Sequence, residues 1–455
     1  MTSSGAPPLG WLRSQSTSIN ISDLAQRSIF GERLDELRGR TVLLIAREQL
    51  FAALALIELD GVASRIVLCP PDLASPHFTS VAAEAGADAL VRDEYASITN
   101  NLGIGMVFSA SSVLMPSRVE RRCTHVTEWV LLTSGTSGAP KLVLHSLASL
   151  TSAIAARSQS PDKNVWSTFY DIRRYGGLQI LLRGLFGGSV MFSSATESTV
   201  DFLVRAGAAG VTHISGTPSH WRKALMSGAA ARIAPRNVRL SGEIADQGIL
   251  DGLRAAYPDA CITHAFASTE AGVAFEVSDC QAGFPLNLIG DSASAVNLKV
   301  DGGTLRIRSA GTAMQYLGDA IPALKGDDGF VDTGDRLELR NGRYYFMGRI
   351  GGIVNVGGLK VHPEEVEAVI NSHPWVQMSL VKARRSPITG AVVMAEVVLI
   401  DDSLRPQKRP GDEAITKDII DICRRELAQH KVPAVIRIVP ALDVSAAGKL
   451  VRPNA

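Results

Sequence analysis

Residues 129–145 read Trp-Val-Leu-Leu-Thr-Ser-Gly-Thr-Ser-Gly-Ala-Pro-Lys-Leu-Val-Leu-His, an apolar strand that enters a Thr/Ser/Gly loop and leaves it as a second apolar strand. Such a loop can hold phosphate. Thr133, Ser134, Thr136 and Ser137 bring hydroxyls and backbone N–H groups, while Gly135 and Gly138 let the backbone fold tightly enough for those donors to converge on one anion. Lys141 adds a mobile positive charge. Pro140 separates this loop from the common nucleotide-binding pattern, in which Gly-Lys-Ser/Thr opens a helix. The same composition suits a surface Ser/Gly turn between two strands, so the loop needs support from elsewhere in the chain.

That support comes from four further segments. Ser268-Thr269-Glu270-Ala271-Gly272 is followed by Asp332-Thr333-Gly334-Asp335, then by Gly348-Arg349 and the run Val354 to Glu367 through Gly357-Gly358-Leu359-Lys360, and finally by Gly448-Lys449. In this order the five segments resemble the adenylate-forming superfamily, which includes acyl- and aryl-CoA synthetases, nonribosomal peptide adenylation domains and firefly luciferase. The resemblance runs from about Leu37 to the C-terminus. It implies an enzyme in which a carboxylate attacks the α-phosphorus of ATP to give an acyl-adenylate and pyrophosphate, after which a thiol displaces AMP.

Two anions must meet in the first of those steps. The site therefore needs a cradle for the leaving pyrophosphate, a divalent metal, and a cation between carboxylate and α-phosphate. By resemblance the cradle is Thr133 to Lys141, Thr269 bonds the α-phosphate, and Glu270 ligates Mg²⁺, whose preference for oxygen suits one carboxylate plus phosphates and waters. Lys449 is the expected cation of the first step, reaching the site on the loop Ser445-Ala446-Ala447-Gly448. Asp335 matches the family carboxylate that accepts the ribose hydroxyls, with Arg349 beside it. Adenine is expected between Gly242-Glu243-Ile244 and His264-Ala265-Phe266-Ala267, the last of these leading into Ser268-Thr269. Phe266 stands where relatives usually have Tyr. Gly358 and Lys360 match the segment that faces the thiol tunnel once the small domain has turned, and Gly351, followed by Gly352, is the expected hinge.

For the acid pocket the resemblance points to Phe169-Tyr170-Asp171-Ile172-Arg173-Arg174-Tyr175-Gly176-Gly177, walled by Gly216-Thr217. Asp171 has two readings here. It could pair with a substrate ammonium, or it could form a structural ion pair with Arg173 or Arg174, which is preferred because buried carboxylates are usually paired. The few aromatic residues point to a mainly apolar acyl group, aryl or fatty. CoA is the expected acceptor. A carrier-protein phosphopantetheine arm, loaded with an amino or aryl acid, is the alternative; a non-catalytic AMP-binding sensor is disfavoured because Lys141, Glu270 and Lys449 are all present.

The elements that must position these residues follow from periodicity. Strands at 41–46, 65–69 and 89–92 alternate with helices at 50–59 and 78–85, and a similar alternation spans 178–218, so a parallel sheet with helices is expected. Residues 1 to about 20, rich in Ser, Gly and Pro, read as a loose tail. From 296 to 348 short strands separated by Gly or Asp-Gly turns read as antiparallel β, in this family a small barrel. Beyond Arg349 a helix at 363–371, strands at 379–384 and 392–400, a helix at 417–429 and a strand at 434–439 follow. The fold class expected is α/β: a large N-terminal adenylation domain (1–348) of mixed and parallel sheets with helices plus a small β-barrel, and a mobile α+β C-terminal domain (349–455).

Composition bounds the remainder. Lys and Arg number 46 against 45 Asp and Glu, a net charge of +1, so no general attraction to nucleic acid or an anionic membrane is expected. Five cysteines without a Cys-x-x-Cys pair read as reduced core thiols. With neither an export signal nor a long apolar run, the expectation is a cytoplasmic enzyme, monomer or homodimer.

Overall fold

The computed structural model of the 455-residue chain describes residues 10–96, 102–119, 122–133, 140–155, 164–291, 294–318, 323–349, 352–356, 359–386, 390–401, 409–444 and 449–451. Two large sheets organise most of it. In the first, seven strands run in the order Gln315–Leu317, Lys141–Ser146, Glu128–Thr133, Arg65–Cys69, Thr41–Ile45, Ala89–Asp93, Met106–Ala110. The last five are mutually parallel, and Lys141–Ser146 turns back antiparallel onto Glu128–Thr133. The second sheet has eight strands, in the order Gly272–Val277, Cys261–Ser268, Asn237–Ser241, His213–Gly216, Asn164–Thr168, Gly188–Phe192, Trp11–Arg13, Ser18–Asn20.

Helices fill the space between the sheets and cover both outer faces. The helix Gln49–Leu59 is apolar almost all round, and the reason is its place: with Leu147–Ala155 and Tyr175–Leu185 it shares one buried core between Val42, Leu44, Ile66 and Leu68 of the first sheet and Val190 and Phe192 of the second. Ser75–Ala85 covers the far face of the first sheet. Thr199–Ala208, Pro218–Met226 and Gln247–Ala256 cover the far face of the second. Parallel strands buried on both faces explain the continuous apolar runs in the sequence.

The amino-terminal segment departs from expectation. Trp11–Arg13 is no loose tail: it joins Gly188–Phe192 in parallel and Ser18–Asn20 antiparallel, and Leu12 is fully buried. Strands of three residues carry too little periodicity to be read from sequence. What admits the strand is Gly10, where a Cβ would fall 2.0 Å from the carbonyl oxygen of Gly188.

Antiparallel strands follow as expected, but longer and as a sheet. The order is Phe284–Pro285, Arg343–Arg349, Val331–Arg340, Thr304–Ser309, Val296–Asp301, and among the described residues no pairing joins the first strand to the last, so the small barrel is seen as an open five-stranded sheet. The central hairpin turns on Asn341-Gly342, whose φ values of 48° and 76° are those of the mirror-image two-residue turn that matches strand twist. Charged residues on Val331–Arg340 hid its length in the sequence.

A separate core forms from Val354, Val361, Val366, Ile370, Val381, Val393, Ile415, Ile419 and Cys423. The three-stranded sheet Val376–Ser386, Gly390–Leu399, Val435–Ile438 carries the helices Pro363–Asn371 and Asp412–Glu426. The second helix begins five residues before the expected start at Lys417, because Asp412 and Glu413 suit the positive helix N-terminus. The cysteines also differ from the reading as core thiols: all five are free, but only Cys69 and Cys423 are buried. No helix among the described residues is long and apolar enough to cross a membrane.

Gly10→Ala should force the edge strand away from Gly188 and cost about 1–3 kcal/mol, the usual penalty of overpacking. Thermal unfolding checks this; an unchanged midpoint would mean that the amino-terminal strands are dispensable.

Candidate active site

The central hairpin sets one wall. Its register places Asp335 opposite Arg349, and Arg349 Nε lies 3.3 Å from Asp335 Oδ1. Asp335 Oδ2 is buried without a hydrogen-bond partner among the described residues. Burial raises the pKa of Asp335 above the usual carboxylate range, with Arg349, Thr333 and Lys449 opposing the rise. A buried acceptor with nothing to accept is chemically suited to a ligand hydroxyl.

Lys449 comes to the same place from the other end of the chain. Val444 and Leu450 form an isolated antiparallel bridge and Val451 N–H donates to Asp443 at 2.9 Å, so Lys449 rides on a short hairpin. Gly242, with φ of 87°, turns beneath it: a Cβ there would sit 3.3 Å from Lys449 Cε. Lys449 remains exposed as a residue, but desolvation by the protein around it, the largest influence, holds its pKa below the usual lysine range; Arg349 and Arg174 lower it further, and Glu243 and Asp335 raise it. Glu243 has a part the sequence did not suggest. Its Oε2 accepts Ser219 N–H at 2.9 Å and its Oε1 accepts Leu450 N–H at 3.1 Å.

The second wall carries the Ser268-Thr269-Glu270 turn. Ser268 Oγ accepts Ala271 N–H at 3.0 Å, and the carbonyl of Glu270 accepts Ala313 N–H at 2.9 Å. Tyr316 O–H donates to Glu270 Oε1 at 3.4 Å, and Lys141 Nζ lies 4.9 Å from the centre of the Tyr316 ring. Thr133 and Lys141 are paired across the two strands that flank the loop. Ser134, Gly135, Thr136, Ser137 and Gly138 lie outside the described residues, as do Gly351, Gly358 and Gly448.

Two side chains here carried no readable sequence signal. Tyr316 arrives on the strand Gln315–Leu317, and only sheet pairing puts it beside Lys141. His145 sits in an apolar strand, fully buried; its Nε2–H donates to the carbonyl of Thr269 at 2.7 Å, and its ring lies 5.8 Å from that of Tyr175. A histidine inside an apolar run was its one available mark.

Other expected residues fall nearby with different neighbours. Phe266 stacks on Phe346 at 4.9 Å within the aromatic core that includes Phe275 and Phe284. Ala265 and Ala267 flank it on the same strand, and Ile244 is half-buried beyond Glu243. His264 is 3.0 Å from the carbonyl of Gln281, on the sheet face it shares with Leu240 rather than the face of Ala265. Lys360 is exposed on the hairpin Val354–Val356/Leu359–Val361, and no hydrogen bond or ion pair among the described residues ties it to Lys449 or Asp335.

Of the two readings of Asp171, the structure contains the ion pair. Arg173 Nε donates to Asp171 Oδ1 at 2.6 Å, its Nη2 bonds the other oxygen, and its Nη1 reaches the carbonyl of Ala46; Arg174 is instead paired with Asp72. Tyr170 O–H donates to Ser241 at 2.6 Å. Tyr175 is buried and bonds the backbone of Val273. Gly176 passes the Tyr170 ring, Gly177 leaves room for the carbonyl of Asp171, and Gly216 leaves room for Phe169. Thr217 caps Pro218–Met226 in a reciprocal box with His220. Behind them Arg239 and Arg183 share Glu276 at 2.8 and 3.3 Å.

The donor set fits Mg²⁺. Glu270 offers one carboxylate beside the phosphate-side strands, and an oxygen-preferring ion of this kind could take it as one ligand with phosphates and water as the others.

A carboxylate with a buried, unpartnered oxygen and a nearby lysine are groups that could bind a nucleotide, and comparison with known proteins gives the family. Residues 48–317 match the family model described as AMP-binding enzyme, and residues 365–449 match the AMP-binding enzyme C-terminal domain. The chain belongs to this family, the adenylate-forming enzymes. It is 32% identical over 260 residues to the 2-succinylbenzoate–CoA ligase of Salmonella typhimurium, covering 55% of this chain and 53% of that protein. A probable 2-succinylbenzoate–CoA ligase of Mycobacterium tuberculosis is 27% identical over 353 residues, covering 75% and 87%. The chain thus spans about half the length of the Salmonella relative it matches. Among solved structures, the anthranilate CoA ligase AuaEII with anthranoyl-AMP superposes with a TM-score of 0.81 at 18% identity, covering 96% of this chain and 92% of that one. The amide bond synthetase McbA from Marinactinospora thermotolerans gives 0.76 at 19% identity, covering 97% and 96%.

Asp171→Asn should cost about 3–5 kcal/mol, because it leaves Arg173 buried without its counter-charge. Denaturant unfolding measures this; full stability would return Asp171 to the list of ligand-binding groups. Burial lowers His145, His213 and His220 from the ordinary imidazole value of 6.5 to about 4. The unfolded chain then binds protons that the folded one refuses, so stability should be flat above about pH 6.5 and fall as pH drops toward about 4. A melting temperature constant across that interval would contradict the assignment of these rings as buried and neutral.

Proposed function

We propose that this chain is an AMP-forming acid–thiol ligase that activates a carboxylic acid, preferentially an aryl acid, as its acyl-adenylate and transfers the acyl group to CoA. The observation that carries the reading is the convergence of Lys449, brought in by Leu450 and Gly242, with Asp335 and Arg349. The aryl preference rests on the relatives named for 2-succinylbenzoate.

Each residue has a task that follows from its surroundings. Asp335 Oδ2 accepts the ribose hydroxyls of ATP, with Arg349 holding the other oxygen. Residues 133–141 receive the β- and γ-phosphates, and Lys141, steadied by the Tyr316 ring, adds charge to their rim. Thr269 is presented to the α-phosphate by a turn that His145 and Ala313 hold from below. Lys449 places its ammonium between the acid carboxylate and the α-phosphate, where it offsets the meeting of two anions; this is preorganised electrostatics and moves no proton. Glu270 would hold Mg²⁺ together with phosphate oxygens and water, and the ion would supply positive charge to the pyrophosphate. Tyr170, Gly176, Gly177, Gly216 and Thr217 shape the acid pocket.

The same reading divides the chain at 348–352. The small domain, 349–455, swings about Gly351 so that Lys449 leaves and the Gly358–Lys360 face arrives for thioester formation. CoA is the acceptor we favour over a carrier-protein thiol, and the enzyme acts as a monomer or homodimer in the cytoplasm.

Lys449→Ala should lose acid-dependent pyrophosphate release by about two to three orders of magnitude, the scale seen on removing one preorganised charge donor. It should still convert supplied acyl-adenylate and CoA to thioester. Hydroxamate trapping across aryl, fatty and amino acids identifies the substrate, and near-normal adenylation by the variant would refute the assignment.

A further inference from the structure

We infer that Glu243 is a positioning residue that holds the carboxy-terminal lysine hairpin in the active site, rather than a wall of the adenine pocket. The inference rests on the function proposed above. The helix Pro218–Met226 has Thr217 as its N-cap, and Ser219 contributes one of the first-turn N–H groups that lack a partner within the helix. Glu243 Oε2 accepts that N–H at 2.9 Å, so the carboxylate is fixed to the large sheet's helix layer with its negative charge at the positive end of the helix. Its other oxygen accepts Leu450 N–H at 3.1 Å, a residue 207 positions away in sequence.

Leu450 is the neighbour of Lys449. Fixing its backbone limits where the lysine ammonium can go, and the Glu243 charge also favours the protonated lysine against desolvation. Two further features serve the same contact. Gly242 takes φ of 87° directly before Glu243, and the space left by its missing side chain is where the Lys449 stem passes. The bridge is therefore a single carboxylate that joins a helix start to the carboxy-terminal segment and accepts one backbone N–H from each. When the small domain turns, Leu450 leaves and Ser219 keeps its half, so Glu243 stabilises the adenylation arrangement over the thioester-forming one.

Glutamine cannot replace this group, since its amide nitrogen would face one of the two N–H donors. Glu243→Gln should lower kcat for pyrophosphate release by about ten- to a hundredfold, the worth of one charge-assisted hydrogen bond. The KM for ATP should change little, and thioester formation from supplied acyl-adenylate should fall far less than adenylation does. In a Lys449→Ala background the substitution should cause no further loss, because its effect passes through the lysine. Trypsin cleavage after Lys449, followed by mass spectrometry, should become several-fold faster in Glu243→Gln at matched global stability, and this readout does not depend on catalysis. Unchanged cleavage with unchanged adenylation overturns the proposal, as does a rise confined to the KM for ATP or an additive loss in the Lys449→Ala background. A wild-type protein that releases no pyrophosphate with any acid while Glu243→Gln still accelerates cleavage refutes the ligase reading and leaves the positioning role standing.

Discussion

Holding the ammonium of Lys449, which remains exposed, near two guanidinium groups is the constraint around which this site is arranged. Desolvation and the nearness of Arg349 and Arg174 all disfavour the charged lysine. Glu243 and Asp335 oppose them, and each is itself held by a different part of the fold: Glu243 by the start of a helix over the eight-stranded sheet, Asp335 by a hairpin of the five-stranded one. Lys449 and Arg349 both keep solvent exposure, so an anion that enters can reach either cation. The placement of the lysine is sensitive to every group that touches its hairpin.

The contacts between the carboxy-terminal unit and the rest are of the kind that can be made and broken. The helix Pro218–Met226 lies against the strand Val376–Ser386. Across the division Glu365 lies 3.8 Å from Arg340, and each of these is also paired within its own unit, Glu365 with Lys431 at 2.7 Å and Arg340 with Glu338. These are polar, partly exposed pairs, each of small net worth in water. The apolar cores, in contrast, stay within their own units. An interface of this composition suits rigid-body rearrangement.

How far the site was legible depended on whether a residue's neighbours were close in sequence. Asp335 and Arg349 lie in local motifs, but the Asn341-Gly342 turn alone would set Asp335 opposite Gly348; a one-residue register shift between Asp335 and Leu337 brings it opposite Arg349. That Asp171 pairs with Arg173 or Arg174 follows from a buried carboxylate's need for a counter-charge, but only the structure chooses Arg173 and gives Arg174 to Asp72. Tyr316 and the bridging part of Glu243 left no trace, since each acquires its neighbours only through sheet order or through a contact 207 positions apart. His264 and Phe266, two positions apart, share one face of their strand, where they meet the carbonyl of Gln281 and the ring of Phe346, neither of which is near them in sequence.

The sequence by itself determined the fold class, the family and the ordered set of chemical groups, because glycine turns, apolar runs and the five short motifs are local properties that need no third dimension. It did not determine the amino-terminal strands, which exist only because an edge of the eight-stranded sheet was available and Gly10 could approach Gly188. Nor did it determine which carboxylate serves which cation. That assignment is a matter of distance and desolvation, and both are created only when sheets, helices and the terminal hairpin are packed together.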